Sequence, residues 1–153
     1  MSRAVALRQR AEELFAAGRS RAVIVGGGAA GLEVALALER LARQFHVQTG
    51  GAEPSVTIVE ATPWILPEFS APVRRIGERR LAARGVRVRA GRRAAAVRPD
   101  GVELDDGTVE PSDLTLWLAG AAPPRLLAAS NLPQDRQGYL LVDPTLRAVD
   151  GGV

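Results

Sequence analysis

The chain has 153 residues, of which 46% are hydrophobic and none is cysteine, with a formal net charge of +3. That length fits one domain with a core of its own. The missing cysteines exclude disulfides and any thiol chemistry within the chain, and no apolar run is long enough to span a membrane.

Residues 1–10 carry charge throughout and lack the apolar core of a signal peptide, so a cytoplasmic location is expected. Residues 4–17 read as a short amphipathic helix with Leu7, Ala11, Leu14 and Phe15 on one side, ended by Gly18. Residues 21–25 are an apolar strand that runs directly into Gly26-x-Gly28-x-x-Gly31. A helical run follows over 32–45. Residues 46–55 read as a loop because they hold Gly50, Gly51 and Pro54. A second apolar strand, 56–60, closes on Glu60.

This order gives each glycine a separate task. Gly26 allows the tight turn out of the strand. Gly28 carries no Cβ, so a pyrophosphate can approach the main chain. Gly31 lets the helix lie close to the strand. The first-turn N–H groups of Ala29, Ala30 and Gly31 then face the pyrophosphate, and the helix dipole favours its charge. Glu60, with Ala61 beside it, ends the second strand, where a carboxylate accepts hydrogen bonds from a ribose diol and repels a 2′-phosphate. Dinucleotide binding is therefore expected, with NAD favoured over NADP. The acid is usually about 20 residues beyond the glycines. Here Glu60 lies 29 positions after Gly31, and the loop at 46–55 accounts for the excess at little entropic cost.

Ser70 is the expected N-cap of a helix over 71–84, ended by Gly85. Residues 85–90 form a third strand. Strand, helix, strand, helix, strand predicts an α/β fold, a Rossmann-like doubly wound parallel sheet. Short strands at 94–97, 101–104 and 109–111 are separated by Pro99-Asp100-Gly101 and Asp105-Asp106-Gly107. They predict an antiparallel β-meander in place of a helical crossover. Residues 113–120 should return to the parallel sheet and end at Gly120, where the backbone passes close to a ligand. Gly26, Glu60 and Gly120 all fall at carboxyl ends of strands, where such sheets bind ligands.

All twenty basic residues are arginine, which reads as compositional bias. Nine of them fall between Arg74 and Arg93. They read as polar faces of a helix and a strand rather than a nucleic-acid patch, since no aromatics interleave them. His46 is the only histidine and builds no metal site alone. Asp105 and Asp106 form a turn. Trp64 and Trp117 read as packing residues rather than stacking platforms. No catalytic residue is assigned.

Together these residues resemble the NAD-binding domain of the FAD-dependent pyridine nucleotide–disulfide oxidoreductase superfamily. The likeness covers nearly the whole chain. Gly26-x-Gly28-x-x-Gly31-x-Glu33 is similar to that domain's extended fingerprint, and the meander and the Trp117-Leu-Ala-Gly120 segment follow in the family's order. Residues 60–67, Glu-Ala-Thr-Pro-Trp-Ile-Leu-Pro, resemble the segment found in the NADH dehydrogenase-like (type II) branch. The resemblance implies a flavoprotein in which NADH passes hydride to FAD, and FAD to a quinone, disulfide or other acceptor. It places Glu33 near the nicotinamide or its ribose; a favourable charge in the first helical turn is the alternative. It also implies three segments: a leading helix and linker (1–20), the NAD(H)-binding domain (21–122), and a return segment (123–153) toward an FAD domain that this chain lacks. An excised domain, inactive by itself, is expected, with a membrane-peripheral parent and a homodimer left open. A stand-alone, non-catalytic dinucleotide-binding or redox-sensing domain is the competing class. FAD binding by this same fold is disfavoured by how late the glycine motif falls.

Overall fold

The computed structural model of the chain describes residues 3–120 and 122–149. They fall into two compact units, which meet between Ala119 and Gly120.

The first unit is built on a parallel sheet in the order β3-β2-β1-β7. Its strands are β1 (Arg21–Val25), β2 (Ser55–Glu60), β3 (Arg87–Ala90) and β7 (Leu114–Trp117). The chain steps from β1 to β2 to β3 in one direction and returns to the other side of β1. The order therefore reverses between β1 and β7, which makes that gap the switch point of the sheet. This is the doubly wound α/β arrangement the sequence predicts.

Alternation along the strands sorts two cores. Ala22, Ile24, Val56 and Ile58 face the helices α1 (Arg3–Ala16), α2 (Ala29–Thr49) and α3 (Ala71–Ala83). Ala11, Leu14 and Phe15 of α1 are buried in that same core. Val23, Val25 and Val59 face the other way, onto Val102 and Leu104. Those two belong to an antiparallel meander of β4 (Ala94–Arg98), β5 (Gly101–Leu104) and β6 (Val109–Pro111). The meander stands where a second helical layer would otherwise cover the sheet.

One buried carboxylate ties these layers. Glu110 on β6 is 3% exposed. Its Oε1 accepts bonds from Arg87 Nη2 at 2.6 Å and Thr57 Oγ1 at 3.0 Å, and its Oε2 accepts from Arg89 Nε at 3.1 Å. Arg87 and Arg89 thus do more than solvate an edge strand: they neutralise the one charge that β6 buries, as a buried acid requires. Glu39 does the same between helices, held by Arg43 and Arg84.

Two local expectations are corrected. The loop expected at 46–55 is shorter, because α2 continues through Thr49. No breaker precedes Gly50, Thr49 Oγ1 bonds the Phe45 carbonyl, and Gly50, at φ 63°, donates its N–H to His46 O at 2.8 Å. His46 itself contacts Gly51 O and Glu53, so it fastens the loop. Ser70 stands at the N-cap of α3 with extended backbone, but its hydroxyl makes no capping bond. Trp64 and Trp117 pack at the surface, 43% and 53% exposed.

The second unit holds a four-residue helix, α4 (Arg125–Ala128), and two narrow hairpins bridged at Gln134–Leu140 and Val142–Ala148. Asp135 and Asp143 organise the two turns in the same way. Each accepts two backbone N–H bonds through Oδ1, from Gln137 and Tyr139 and from Thr145 and Arg147.

Asp113 fixes the entry to β7. Arg21 gives it two side-chain bonds, 3.0 Å and 2.8 Å, and one from its backbone N–H at 3.1 Å. The Arg21 guanidinium holds the Asp113 carboxyl well below the usual range, at about 2 against 3.8. Its side chain is 6% exposed. Folding therefore favours the ionised form. The stabilisation, on the order of 2 kcal/mol, is complete above about pH 5 and fades as pH falls from about 4 toward 2. Urea unfolding at pH 6 and pH 2.5 should show this loss in the wild type and its absence in Asp113→Asn; equal pH dependence in both would contradict it.

Candidate functional site

Four chain segments meet at the carboxyl end of the switch point, and each is held there by backbone. Gly26 N–H donates to Val59 O at 2.8 Å, which continues the β1–β2 ladder into the glycine loop. Gly26 has φ 114°. A Cβ on it would lie 2.8 Å from Ala119 N and 2.9 Å from the Leu118 carbonyl carbon. Gly26 is thus required twice, by its turn and by the end of β7 that runs against it. A Cβ on Gly31 would stand 1.9 Å from Gly26 O, so the first turn of α2 rests directly on the turn that precedes it.

Gly28 is different. It is the N-cap of α2, and a Cβ there would meet nothing within 4 Å. Its outer face is open, and Ala29 and Ala30 beside it are exposed. The first N–H groups of a helix have no partner within it. At this end they emerge on an uncovered surface, with the positive end of the dipole behind them. Such a cradle fits an anionic phosphate.

Glu60 turns back toward this loop. Gly27 N–H donates to its Oε2 at 2.6 Å, and Thr62 N–H to its Oε1 at 2.8 Å. A Cβ on Gly27 would fall 3.0–3.1 Å from the Glu60 side chain, so this third glycine makes room for the carboxylate. Glu60 is 9% exposed. Each carboxylate oxygen has a second lone pair, so further donors can still be accepted.

Residues 61–69 brace the loop from the α3 side. Leu66 N–H donates to Gly27 O at 2.7 Å. Leu66 holds φ 53°, a conformation that costs a branched residue about 1 kcal/mol or more. Ile65 and Leu66 are buried under Gly77, where a Cβ would sit 2.8 Å from Leu66 Cδ1. Above them Arg74 lies 4.5 Å over the Trp64 ring.

The cleft at the strand ends is lined by Gly26, Glu60, Ala61, Arg92, Arg93 and Trp117, among others, and holds about 140 Å³. That is well under the ~300–1,000 Å³ of sites that enclose a drug-sized ligand, so it is one subsite of a longer, open surface. Two roomier grooves run along α2, one of them against α1; neither touches the glycine loop.

Of the residues singled out in the sequence, Gly26, Glu60 and Ala61 meet in the cleft, and Gly28, Ala29, Ala30 and Gly31 form its adjoining cradle. Glu33 is the fifth residue of α2, outside its first turn, where no acid stands. It is exposed and not among the cleft's lining. Gly120, at φ 70°, belongs to the second unit. Trp117, Arg92 and Arg93 were missed as site residues. Trp117 ends β7 with its indole Nε1 bonded to Ala119 O. The signal for it was its position, three residues before Gly120 at a strand's carboxyl end. Among the described residues no cluster of His, Cys, Asp or Glu could hold a metal ion, and no helix is long and apolar enough to cross a membrane.

A family model described as pyridine nucleotide-disulphide oxidoreductase matches residues 2–153. The internal alternative NAD(P)H-ubiquinone oxidoreductase A1, mitochondrial, of Solanum tuberosum is 30% identical over 128 residues, which span 82% of this chain and 25% of that protein. The 5,5'-dehydrodivanillate O-demethylase ferredoxin reductase subunit of Sphingobium sp. is 34% identical over 121 residues, covering 72% and 27%. The chain spans about a quarter of the length of these curated relatives. Among solved structures, the NDH2 of Plasmodium falciparum in complex with NADH shares the fold, with a TM-score of 0.73 at 19% identity over 90% of this chain and 30% of that one.

The two glycines at the heart of the site should respond oppositely to one methyl group. Gly31→Ala is expected to cost at least about 3 kcal/mol, because neither the helix nor the Gly26 carbonyl can give way. Gly28→Ala should stay within about 1 kcal/mol of wild type, an N-cap loss partly offset by reduced unfolded-chain entropy. Urea midpoints of the two variants check this; equal losses would contradict the packing described.

Proposed function

The chain belongs to the pyridine nucleotide-disulphide oxidoreductase family, and from that premise we propose that it is the NAD(H)-binding part of a flavin-dependent oxidoreductase. The alternative NAD(P)H-ubiquinone oxidoreductases among its relatives support the NADH dehydrogenase-like, type II branch. One observation carries the proposal. Gly26, Gly28 and Gly31 form a loop that is open only where a phosphate would approach, and Glu60 is fixed beside it at the end of the neighbouring strand.

The residues then divide the work. The N-terminus of α2 holds the pyrophosphate through the N–H groups of Ala29, Ala30 and Gly31. Glu60, oriented by Gly27 and Thr62, accepts bonds from a ribose diol. Trp117 and Ala119 form the β7 wall of the cleft. When bound, the dinucleotide supplies hydride to a flavin held elsewhere in the parent protein, which reduces a quinone, disulfide or other acceptor. Binding and orientation are this chain's part, and the isolated chain is expected to catalyse nothing.

Calorimetric titration of the chain with NADH and FAD in parallel tests this. NADH should bind and FAD should not. Gly28→Val should abolish NADH binding, since its side chain grows from a Cβ position that is open on the cradle side, while the thermal midpoint should fall by no more than the several degrees that a poorer N-cap costs. FAD bound with NADH ignored would overturn the assignment.

A further inference from the structure

Among the described residues, two that are not glycine hold a positive φ, Leu66 at 53° and Leu146 at 65°. Leu146 is exposed, and its N–H donates to Asp143 O at 2.9 Å, so an ordinary turn accounts for it. Leu66 is buried, between β2 and α3. A bulky residue keeps such a backbone only where its surroundings over-determine it.

Three attachments do so here. The Leu66 side chain belongs to the helix-side core with Ile65 and Leu81, and its Cδ1 lies where a Cβ on Gly77 would stand 2.8 Å away. Its carbonyl accepts the Phe69 N–H at 2.9 Å, and its own N–H donates to Gly27 O at 2.7 Å. The angle φ is the rotation between the N–H and the rest of the residue. Its unusual value lets Leu66 keep its side chain in the core while its N–H points out at the glycine loop.

The acceptor is the carbonyl of the peptide that joins Gly27 to Gly28. No described peptide is cis. In a planar trans peptide the N–H points opposite to the C=O. A carbonyl aimed at Leu66 therefore turns the Gly28 N–H away from residues 61–69. On that side no described residue bonds it, and the space at Gly28 is open. The loop could not hold this plane by itself. Gly26, Gly27 and Gly28 are consecutive, and a peptide between glycines turns over at little steric cost. The preceding peptide is fixed separately, by the Gly27 N–H on Glu60 Oε2 at 2.6 Å.

We propose that Leu66, outside the glycine motif, is a positioning residue for dinucleotide binding: by holding Gly27 O it turns the Gly28 N–H toward the pyrophosphate. This rests on the NAD(H) assignment above. Leu66 touches no ligand and acts through one peptide plane. Released, that plane can turn over and present a carbonyl oxygen to the phosphates, which repel it.

Replacing the Leu66 amide by an ester, through semisynthesis of the full chain, deletes the N–H donor and keeps the side chain. Calorimetry and amide NMR with NADH then test the proposal. In the wild type the Gly28 amide proton should move downfield on binding, as a donor to phosphate does. In the ester variant NADH should bind about fivefold or more weaker, and the downfield shift of Gly28 should be lost while Ala29 and Ala30 still respond. The thermal midpoint should stay within a few degrees of wild type. An ester at Phe69 deletes a bond of the same segment and should change NADH affinity less than about twofold. A Gly28 amide that stays still in the wild type while Ala29 and Ala30 respond would overturn the Leu66 assignment and leave the dinucleotide site standing. So would unchanged affinity in the Leu66 ester, or equal losses in the two esters. No NADH bound by the wild type would overturn the dinucleotide assignment, and this proposal with it.

Discussion

The contact between Gly31 and the Gly26 carbonyl is the constraint from which the site follows. A single methyl at Gly31 would stand 1.9 Å from that oxygen. Without side chains at both positions, α2 can start directly above the end of β1. That start point aims its unpaired N–H groups at the gap between β1 and β7, where the strand order reverses. Gly28 is left facing outward, with room in front of it. Shift α2 by one turn and the open glycine, the helix end and Glu60 no longer share a surface.

The loop is held from three sides. Val59 and Leu66 bond its backbone, and Glu60 accepts the Gly27 N–H. The end of β7 blocks its fourth side at Gly26. Rigid backbone of this kind lets a small motif bind without reorganising, which lowers the entropic cost of association. Beneath it, Glu110 fixes the meander to β2 and β3 through Thr57, Arg87 and Arg89. The same anchoring carries the corner with Arg92 and Arg93 to the rim of the cleft. A structural ion-pair cluster on one face of the sheet thus sets the electrostatics at its end.

Much of this was legible because the decisive signals are local. The glycine spacing, Glu60 at a strand end and the two Asp-Gly turns of the meander each depend on a few neighbouring residues, and the observed elements agree with them. What escaped depends on partners distant in sequence. Arg87 and Arg89 look like solvent-facing residues of an edge strand until Glu110, more than twenty positions later, folds over them. Trp117 reads as a packing residue because its strand is apolar, yet it ends that strand half-exposed on the wall of the cleft. Ser70 has the right residue type for a cap but leaves its hydroxyl unused. The extra helical turn at 46–49 was hidden by glycines at 50 and 51, which cap a helix as readily as they make a loop.

The most direct measurement is an amide-resolved NMR titration of the chain with NADH. The N–H signals of Gly26 through Leu32, together with those of Glu60, Ala61 and Thr62, should shift in concert and saturate at one affinity, while the grooves along α2 at Arg40, Gln44 and Gln48 stay still. Shifts confined to those grooves, or none as NADH is raised, would contradict a dinucleotide site at the switch point of the sheet.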